Sequence, residues 1–290
     1  YGLVGSEMCI RDRAYDVNSG SASTAIFNEI FMNTSAYMPY KSISPNIIVC
    51  KGLESYPGLN GTGFFVTFPP FEPVFYVTAR HCIEDILPDS SEAKLMVPVI
   101  PGGSKSVLFS HVLQTAVDDS CDNDTEDVAI YVVSEEISTE EYVALRERAL
   151  PSKHQDDVDN LLKLALARGS NLRTIGYPIH NHPNCATEVD FDAGQIRIQP
   201  RGFYGKLSVD GLFPNQYCLT EVNWKEHDYR GFSGSPVIEL AENVSVKGDV
   251  HPLVVGVVLM ATQHLVRFIS INVVCNTIAA YLVHKGYVEN

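Results

Sequence analysis

Short apolar runs separated by turn signals occupy the first half of the chain. Runs of β-branched and aromatic residues that end at Gly, Pro or Asn are typical of strands. Residues 52–63, which hold Pro57-Gly58 and Asn60-Gly61, are predicted to be a turn-rich connection. The pattern predicts six strands, at residues 47–51, 64–68, 74–78, 94–100, 106–115 and 128–133. Six short strands in succession favour a closed antiparallel barrel over residues 47–135.

Helix signals replace strand signals over residues 136–170. Ser138 precedes Glu140 and Glu141, which is typical of a helix N-terminus and predicts a helix over residues 139–148. Residues 156–168 carry apolar side chains at helical spacing and predict a second helix. We interpret this segment as a helical connector that carries no chemistry of its own.

Strand-like runs return over residues 171–290 and predict a second barrel, which a helix at residues 273–283 closes. The runs lie at residues 172–177, 195–199, 205–209, 217–222, 237–240, 253–259 and 267–271. The whole pattern predicts an all-β fold of two antiparallel six-stranded β-barrels, with a helical connector and a C-terminal helix.

The first 46 residues are weakly patterned, with one short helix predicted at residues 25–32. Residues 1–13 resemble translated sequencing-adapter read-through, so we expect them to be an artefact and the natural N-terminus to be missing. Residues 14–46 are then an N-terminal leader. Both a cytoplasmic and an exported location stay open.

The composition is that of an ordinary globular protein, with 45% apolar and 19% charged residues among the 290. The net charge of −14 argues against nucleic acid or an anionic membrane as the main partner. The longest apolar stretch, residues 252–262, is too short to span a bilayer. The seven cysteines include no Cys-x-x-Cys pair, which argues against a zinc ribbon. Oligomeric state stays open.

A serine lies between two glycines in Gly231-Phe232-Ser233-Gly234-Ser235-Pro236, immediately before a strand-like run. Glycines permit positive φ and leave the backbone open to a ligand. Such a turn can direct backbone N–H groups towards one point, which is what an oxyanion hole requires. A Gly/Ser/Pro surface turn is the simpler alternative.

A nucleophilic serine needs a base, and the base needs an orienting carboxylate. His81 follows the strand-like run at residues 74–78, three residues after its end. Asp127 directly precedes the run at residues 128–133. A buried structural histidine and a carboxylate at a strand edge are the alternatives. The nearby acids Asp118, Asp119, Asp122 and Asp124 are rivals of Asp127, which is favoured because it directly precedes the apolar run.

The order His81, Asp127, Ser233 resembles the chymotrypsin/trypsin-like serine protease family. Thr78-Ala79-Arg80-His81-Cys82 is similar to the family's T-A-A-H-C box, Asp127-Val128-Ala129-Ile130 to its D-I-A-L box, and residues 231–236 to its G-x-S-G-x-P box. Residues 61–66 resemble the strand beside the histidine strand, and the likeness extends from about residue 47 to the C-terminus. It implies that Ser233 is the nucleophile, that His81 is the base, that Asp127 orients it, and that Gly231 and Ser233 form the oxyanion hole.

The resemblance also implies a substrate-binding set: His227, Asp228, Leu259, Met260 and Ala261. The position of the pocket aspartate of trypsin falls on His227, so that residue does not support a preference for Lys or Arg. Asp228 keeps the preference open, and His227 could favour an acidic or amide side chain. Met260 and Ala261 replace the usual Trp-Gly, and the strand over residues 256–261 should present its backbone to an extended peptide.

Two features depart from the secreted members of the family, and the one at Phe232 resembles the bacterial or viral branch. Secreted members that mature from zymogens carry an aspartate at the position of Phe232, and it pairs with a new N-terminal amine; Phe232 cannot do so. In those members the cysteine beside the histidine pairs with a cysteine on the preceding strand. Thr62 or a neighbour occupies that place here, so we expect Cys82 to be a free thiol.

The resemblance therefore implies a bacterial-type trypsin-like peptidase, a serine endopeptidase that hydrolyses protein or peptide substrates through an acyl-enzyme and needs no cofactor. A catalytically silent module of the same fold that binds peptides or partners is the alternative, and esterase activity is a third option. His180, His182 and Cys185 could hold a metal ion, although a polar loop explains them more simply.

Overall fold

The computed structural model describes residues 39–50, 58–83, 93–101, 103, 105–115, 127–152, 155–179, 188–190, 195–209, 215–224, 228–240 and 252–288. The helix predicted at residues 25–32 and the suspected artefact at residues 1–13 lie outside these ranges. The strands and helices in the described ranges are β1 (Ile43–Cys50), β2 (Gly58–Thr67), β3 (Val74–Ala79), β4 (Ala93–Met96), β5 (Phe109–Gln114), β6 (Val128–Val133), α1 (Thr139–Arg148), β7 (Leu150–Pro151), α2 (Gln155–Arg168), β8 (Asn171–Gly176), β9 (Glu188–Asp190), β10 (Gln195–Arg197), β11 (Arg201–Ser208), β12 (Gln216–Thr220), β13 (Pro236–Leu240), β14 (Pro252–Ala261), β15 (Val266–Ser270) and α3 (Ile271–His284).

The first sheet has the strand order β4-β1-β2-β3-β6-β5, with β7 added in parallel to β2. Its other pairs are antiparallel. In the described residues β4 and β5 remain edges, and the chain between them forms only the isolated bridge between Pro98 and Ser106. Proline has no N–H to donate to a ladder, which disfavours further pairing there. The first predicted barrel is accordingly a half-barrel.

β2 begins earlier than the sequence predicts, at Gly58, so the Asn60-Gly61 dipeptide lies inside a strand rather than in a turn. Gly61 adopts a φ of +85°, which glycine tolerates and which here bends a strand instead of reversing the chain. Asn60 is held by its side chain, which donates to the carbonyl of Cys82 at 2.8 Å. Tertiary partners have overridden the local turn signal.

The second sheet closes into the predicted six-stranded barrel, in the order β11-β12-β15-β14-β13-β8. Large side chains such as Phe203, Phe232 and Phe268 are fully buried inside it. The predicted strand at residues 195–199 does not join this ring, because β10 pairs with β9 in a separate two-stranded sheet.

The helices lie where helix signals predict them. Ser138 and Glu141 form a reciprocal capping box at the start of α1. α3 follows β15 directly, packs against α2, β5 and β14, and buries Val274, Ile278 and Leu282. No helix in the described ranges is long and apolar enough to cross a membrane.

Candidate active site

The pairing of β3 with β6 brings His81 to Asp127. Ala79, the last residue of β3, pairs with Val128, the first residue of β6, in antiparallel register. The residue after one strand and the residue before the other are therefore neighbours. The backbone N–H of Arg80 donates to the Asp127 carbonyl at 3.0 Å, and a 3-10 turn over Arg80–Cys82 then presents the His81 side chain.

The His81 ring is held by the Asp127 carboxylate. Nδ1 of His81 lies 2.7 Å from Oδ2 and 2.9 Å from Oδ1, and the backbone N–H of His81 also donates to Oδ1 at 2.9 Å. Hydrogen bonding to Asp127 is the main cause that raises the pKa of His81 to about 10, with a smaller contribution from Cys82. The carboxylate thus stabilises the imidazolium and orients the other ring nitrogen away from itself.

The loop that carries Ser233 is anchored to both sheets. The Gly234 N–H donates to the Val258 carbonyl of β14 at 2.7 Å, and the Val258 N–H donates to the Ser235 carbonyl at 2.9 Å. On the other side, the N–H of Thr62 in β2 donates to the Ser233 carbonyl at 2.9 Å. The nucleophile candidate is therefore positioned by hydrogen bonds from two different sheets.

Both glycines that flank Phe232-Ser233 are required by geometry. Gly231 has a φ of +94° and Gly234 a φ of +82°, in the region that side chains other than glycine disfavour. A Cβ on Gly231 would lie 2.1 Å from the Tyr177 carbonyl oxygen, and one on Gly234 would lie 2.0 Å from the Thr62 carbonyl oxygen. The backbone of this loop is packed too closely for any other residue at these two positions.

The backbone N–H groups of Gly231 and Ser233 donate to no acceptor within the described part of the chain, whereas those of Phe232, Gly234 and Ser235 all do. The carbonyl of Arg230 accepts from the Ile179 N–H at 2.9 Å, so the N–H of the same trans peptide, on Gly231, points the other way. The Phe232 carbonyl accepts from Ser235 at 2.9 Å, and the Ser233 N–H faces away from that bond. Two free donors therefore flank the nucleophile candidate.

One cavity of about 460 Å³ is lined by His81, Asp127 and Ser233 together. In this structure the Ser233 hydroxyl donates to the Leu259 carbonyl at 3.3 Å. Among the described residues His81 and Ser233 make no hydrogen bond to one another. The three residues thus share one cavity, with Asp127 and His81 engaged and the serine hydroxyl turned towards β14.

The predicted substrate-binding residues have different surroundings. Leu259, Met260 and Ala261 line the cavity. Asp228 is engaged by the guanidinium of Arg230, with an Nη2–Oδ2 distance of 2.6 Å. His227 lies outside the described residues, as do His180, His182 and Cys185 of the metal hypothesis.

Three residues with a direct part in this site carry no local sequence signal. Gln216 of β12 and Arg267 of β15 line the cavity from strands whose register only the barrel sets. Thr62 bonds to the loop that carries Ser233 across 169 residues of sequence, because its hydroxyl donates to the Gly231 carbonyl at 2.6 Å. The Thr62 hydroxyl also accepts from the Tyr177 N–H at 2.8 Å.

The two departures from the secreted enzymes have structural counterparts. The Phe232 ring is fully buried and packs edge-on against Phe203 and Trp224, at centroid distances of 5.0 and 5.2 Å. Aromatic packing thus holds the loop at this position. Cys82 is a buried free thiol, and the residue that faces it is Gly61, whose added Cβ would lie 2.5 Å from Sγ.

Comparison with solved structures supports the architecture. The chain is similar to the protease Anisep from Arthrobacter nicotinovorans, with a TM-score of 0.50 and 14% sequence identity, over 83% of this chain and 95% of that one. At this identity the likeness concerns the fold, which is the two-barrel trypsin-like fold. No family model matches the sequence, and no curated protein matches it significantly.

Proposed function

We infer that this protein is a serine endopeptidase in which Ser233 is the nucleophile, His81 the general base and Asp127 the orienting carboxylate. The observation that carries the inference is the combination, around one cavity, of the His81–Asp127 pair, Ser233 and the two free N–H groups of Gly231 and Ser233. Each element supplies one requirement of acyl transfer: a base, a nucleophile and donors for a developing oxyanion.

The reaction starts when Ser233 Oγ leaves the Leu259 carbonyl and gives its proton to Nε2 of neutral His81. A bond forms from Oγ to the carbonyl carbon of the substrate, and the oxyanion accepts from the two free N–H groups. The peptide C–N bond then breaks, and the proton passes from His81 to the departing amine. Water attacks the acyl-enzyme, its proton goes to His81, and the released Oγ takes that proton back.

A fluorophosphonate probe tests the inference directly, since it phosphonylates only activated serines. We expect intact protein to be labelled and the Ser233→Ala variant to be unlabelled. The control is Ser208→Ala, a change at the end of β11 outside the cavity, which should label like the intact protein. Folded intact protein that stays unlabelled would contradict the inference.

A catalytically silent peptide-binding module is the second candidate, and one observation favours it: the Ser233 hydroxyl is bonded to Leu259 instead of His81. An active enzyme is also compatible with this bond, because catalytic hydrogen bonds are often poorly aligned before the substrate binds. Peptide binding without labelling would select the silent module.

A further inference from the structure

The cavity beside Ser233 has an unusual charge lining for so acidic a protein. The chain carries a net charge of −14, yet within the part of the chain that the structure describes the charged side chains at the cavity wall are His81, Asp127, Arg230 and Arg267. Asp127 is hydrogen-bonded to His81 and therefore already engaged. Among the described residues, the remaining charged side chains of this wall, Arg230 and Arg267, are positive, and they line the same cavity as Ser233.

Arg230 is poorly suited to bind a substrate group. Its side chain is 75% exposed on the loop before Gly231. Its guanidinium already donates to the Asp228 carboxylate, from Nε at 2.9 Å and from Nη2 at 2.6 Å.

Arg267 is the second residue of β15, a barrel strand that is paired on both sides. On β15 it pairs with Met260 of β14 on one side and with Cys218 of β12 on the other. Gln216 pairs with Ile269, two residues further along β15, so Gln216 and Arg267 project on the same face. Both side chains line the cavity, where Gln216 is 3% exposed and Arg267 is partly buried.

This position gives the guanidinium the features of a specificity group. A strand paired on both sides holds its side chain more rigidly than a loop does, which reduces the ordering cost of binding. The planar guanidinium can donate two parallel hydrogen bonds to one carboxylate. The uncharged side-chain amide of Gln216 beside it can donate a further hydrogen bond.

Resting on the proposed function, we propose that Arg267, assisted by Gln216, binds the carboxylate of an acidic side chain on the residue whose carbonyl Ser233 attacks. That residue presents the side chain nearest the reacting carbon, so its side chain is the one that enters the cavity next to Ser233. The enzyme cleaves after Glu or Asp, and a Lys or Arg side chain at the same place is repelled by the guanidinium.

Matched peptides test the proposal. The substrates are internally quenched, blocked at both ends, and differ only in the residue before the scissile bond, which is Glu, Gln or Lys. Blocking the ends leaves the side chain as the single source of a carboxylate. We expect kcat/KM for the Glu peptide to exceed that for the Gln peptide about 10²-fold, because charged hydrogen bonds in a partly desolvated site discriminate on that order.

Variants assign the preference to a residue. Arg267→Gln should lower kcat/KM for the Glu peptide about 10²-fold and leave the Gln peptide within a few-fold. Arg267→Lys keeps the positive charge but loses the planar group that donates two parallel hydrogen bonds, so it should retain part of the preference for Glu. Arg146→Gln, which removes an exposed arginine of α1, is the charge-matched control and should change neither value. A Glu preference that disappears in Arg230→Gln and survives in Arg267→Gln would overturn the assignment.

A neutral alkyl fluorophosphonate separates this proposal from the proposed function. Labelled intact protein that cleaves the Lys or Gln peptide better than the Glu peptide would overturn the specificity proposal alone. Intact protein that resists the probe would overturn the peptidase itself. The labelling rate of Arg267→Gln also reports whether that variant is folded. If it is not folded, the relative kcat/KM values of the intact enzyme for the Glu, Gln and Lys peptides decide the proposal.

Discussion

In the proposed mechanism, the charge state of His81 controls when Ser233 can lose its proton. The general base acts as the neutral imidazole, and Asp127, with a smaller contribution from Cys82, raises the pKa of His81 to about 10. Activity is therefore lost as the pH falls through this raised pKa. A histidine without the carboxylate would lose its function only near its ordinary pKa of 6.5.

Measuring kcat/KM from acid to alkaline pH checks this consequence. For the intact enzyme we expect the inflection well above 6.5, towards 10. In Asp127→Asn the inflection should move down towards 6.5, and the maximum should fall about 10⁴-fold because the ring is no longer oriented. Glu72→Gln, which neutralises an exposed carboxylate, is the control and should leave the profile unchanged. An intact enzyme with its inflection at or below 6.5 would contradict the role of Asp127.

Arg148 decides how α1 docks on the first sheet. The side chain is 5% exposed and donates to the carbonyls of Ile43, Pro98 and Val99 at 2.7–2.9 Å, while its guanidinium lies 4.8 Å from the centroid of the Phe65 ring. Burial lowers the pKa of Arg148 to about 10, so the group stays protonated at neutral pH. One buried cation thus satisfies several carbonyl groups where β1 and the segment after β4 meet.

Replacing Arg148 by Met should destabilise the protein by at least about 3 kcal/mol, because each buried carbonyl left without a donor costs about 1–3 kcal/mol. Urea unfolding followed by circular dichroism measures the change. Arg146→Gln, two residues away and exposed, should stay within about 0.5 kcal/mol. Equal losses in the two variants would mean that Arg148 stabilises only as a surface charge does.

A chain of buried hydrogen bonds connects the first sheet to the loop that carries Ser233 in the other half of the molecule. The Tyr76 hydroxyl donates to Asn46 at 2.7 Å, Asn46 donates to the Thr78 hydroxyl at 2.8 Å, and Thr78 donates to the Thr62 carbonyl at 2.8 Å. The Thr62 N–H then reaches the Ser233 carbonyl. Thr62 is therefore a positioning residue: it links the two halves and sets the orientation of the peptides around Ser233.

Thr62→Val keeps the shape of the side chain and removes its hydroxyl, so the Gly231 carbonyl and the Tyr177 N–H lose a partner. We expect kcat and the fluorophosphonate labelling rate to fall about 10–10²-fold with a smaller change in KM, because the oxyanion donors lose their alignment. Thr62→Ser restores the hydroxyl and should recover most of kcat. If Thr62→Val lowers the melting temperature and leaves kcat unchanged, Thr62 has only a structural role.

Much of the architecture follows from patterns that are local in the sequence. Runs such as Val128–Val133 predicted strands because a continuous apolar run rich in β-branched residues suits a buried sheet. Ser138 and Glu141 predicted the start of α1 because a capping box is complete within four residues. Asn60-Gly61 misled the prediction, since the bonds that hold it inside β2 come from distant residues.

The sequence by itself determined the kinds of chemistry that His81, Asp127 and Ser233 could perform, and the two glycines that the loop requires, because these depend on residue type and close spacing. Only the tertiary structure decided which groups meet. The register of β3 with β6 places His81 on Asp127, and barrel closure turns Arg267 and Gln216 towards the cavity. Such contacts depend on the pairing of strands far apart in sequence, whose register no short connecting turn fixes.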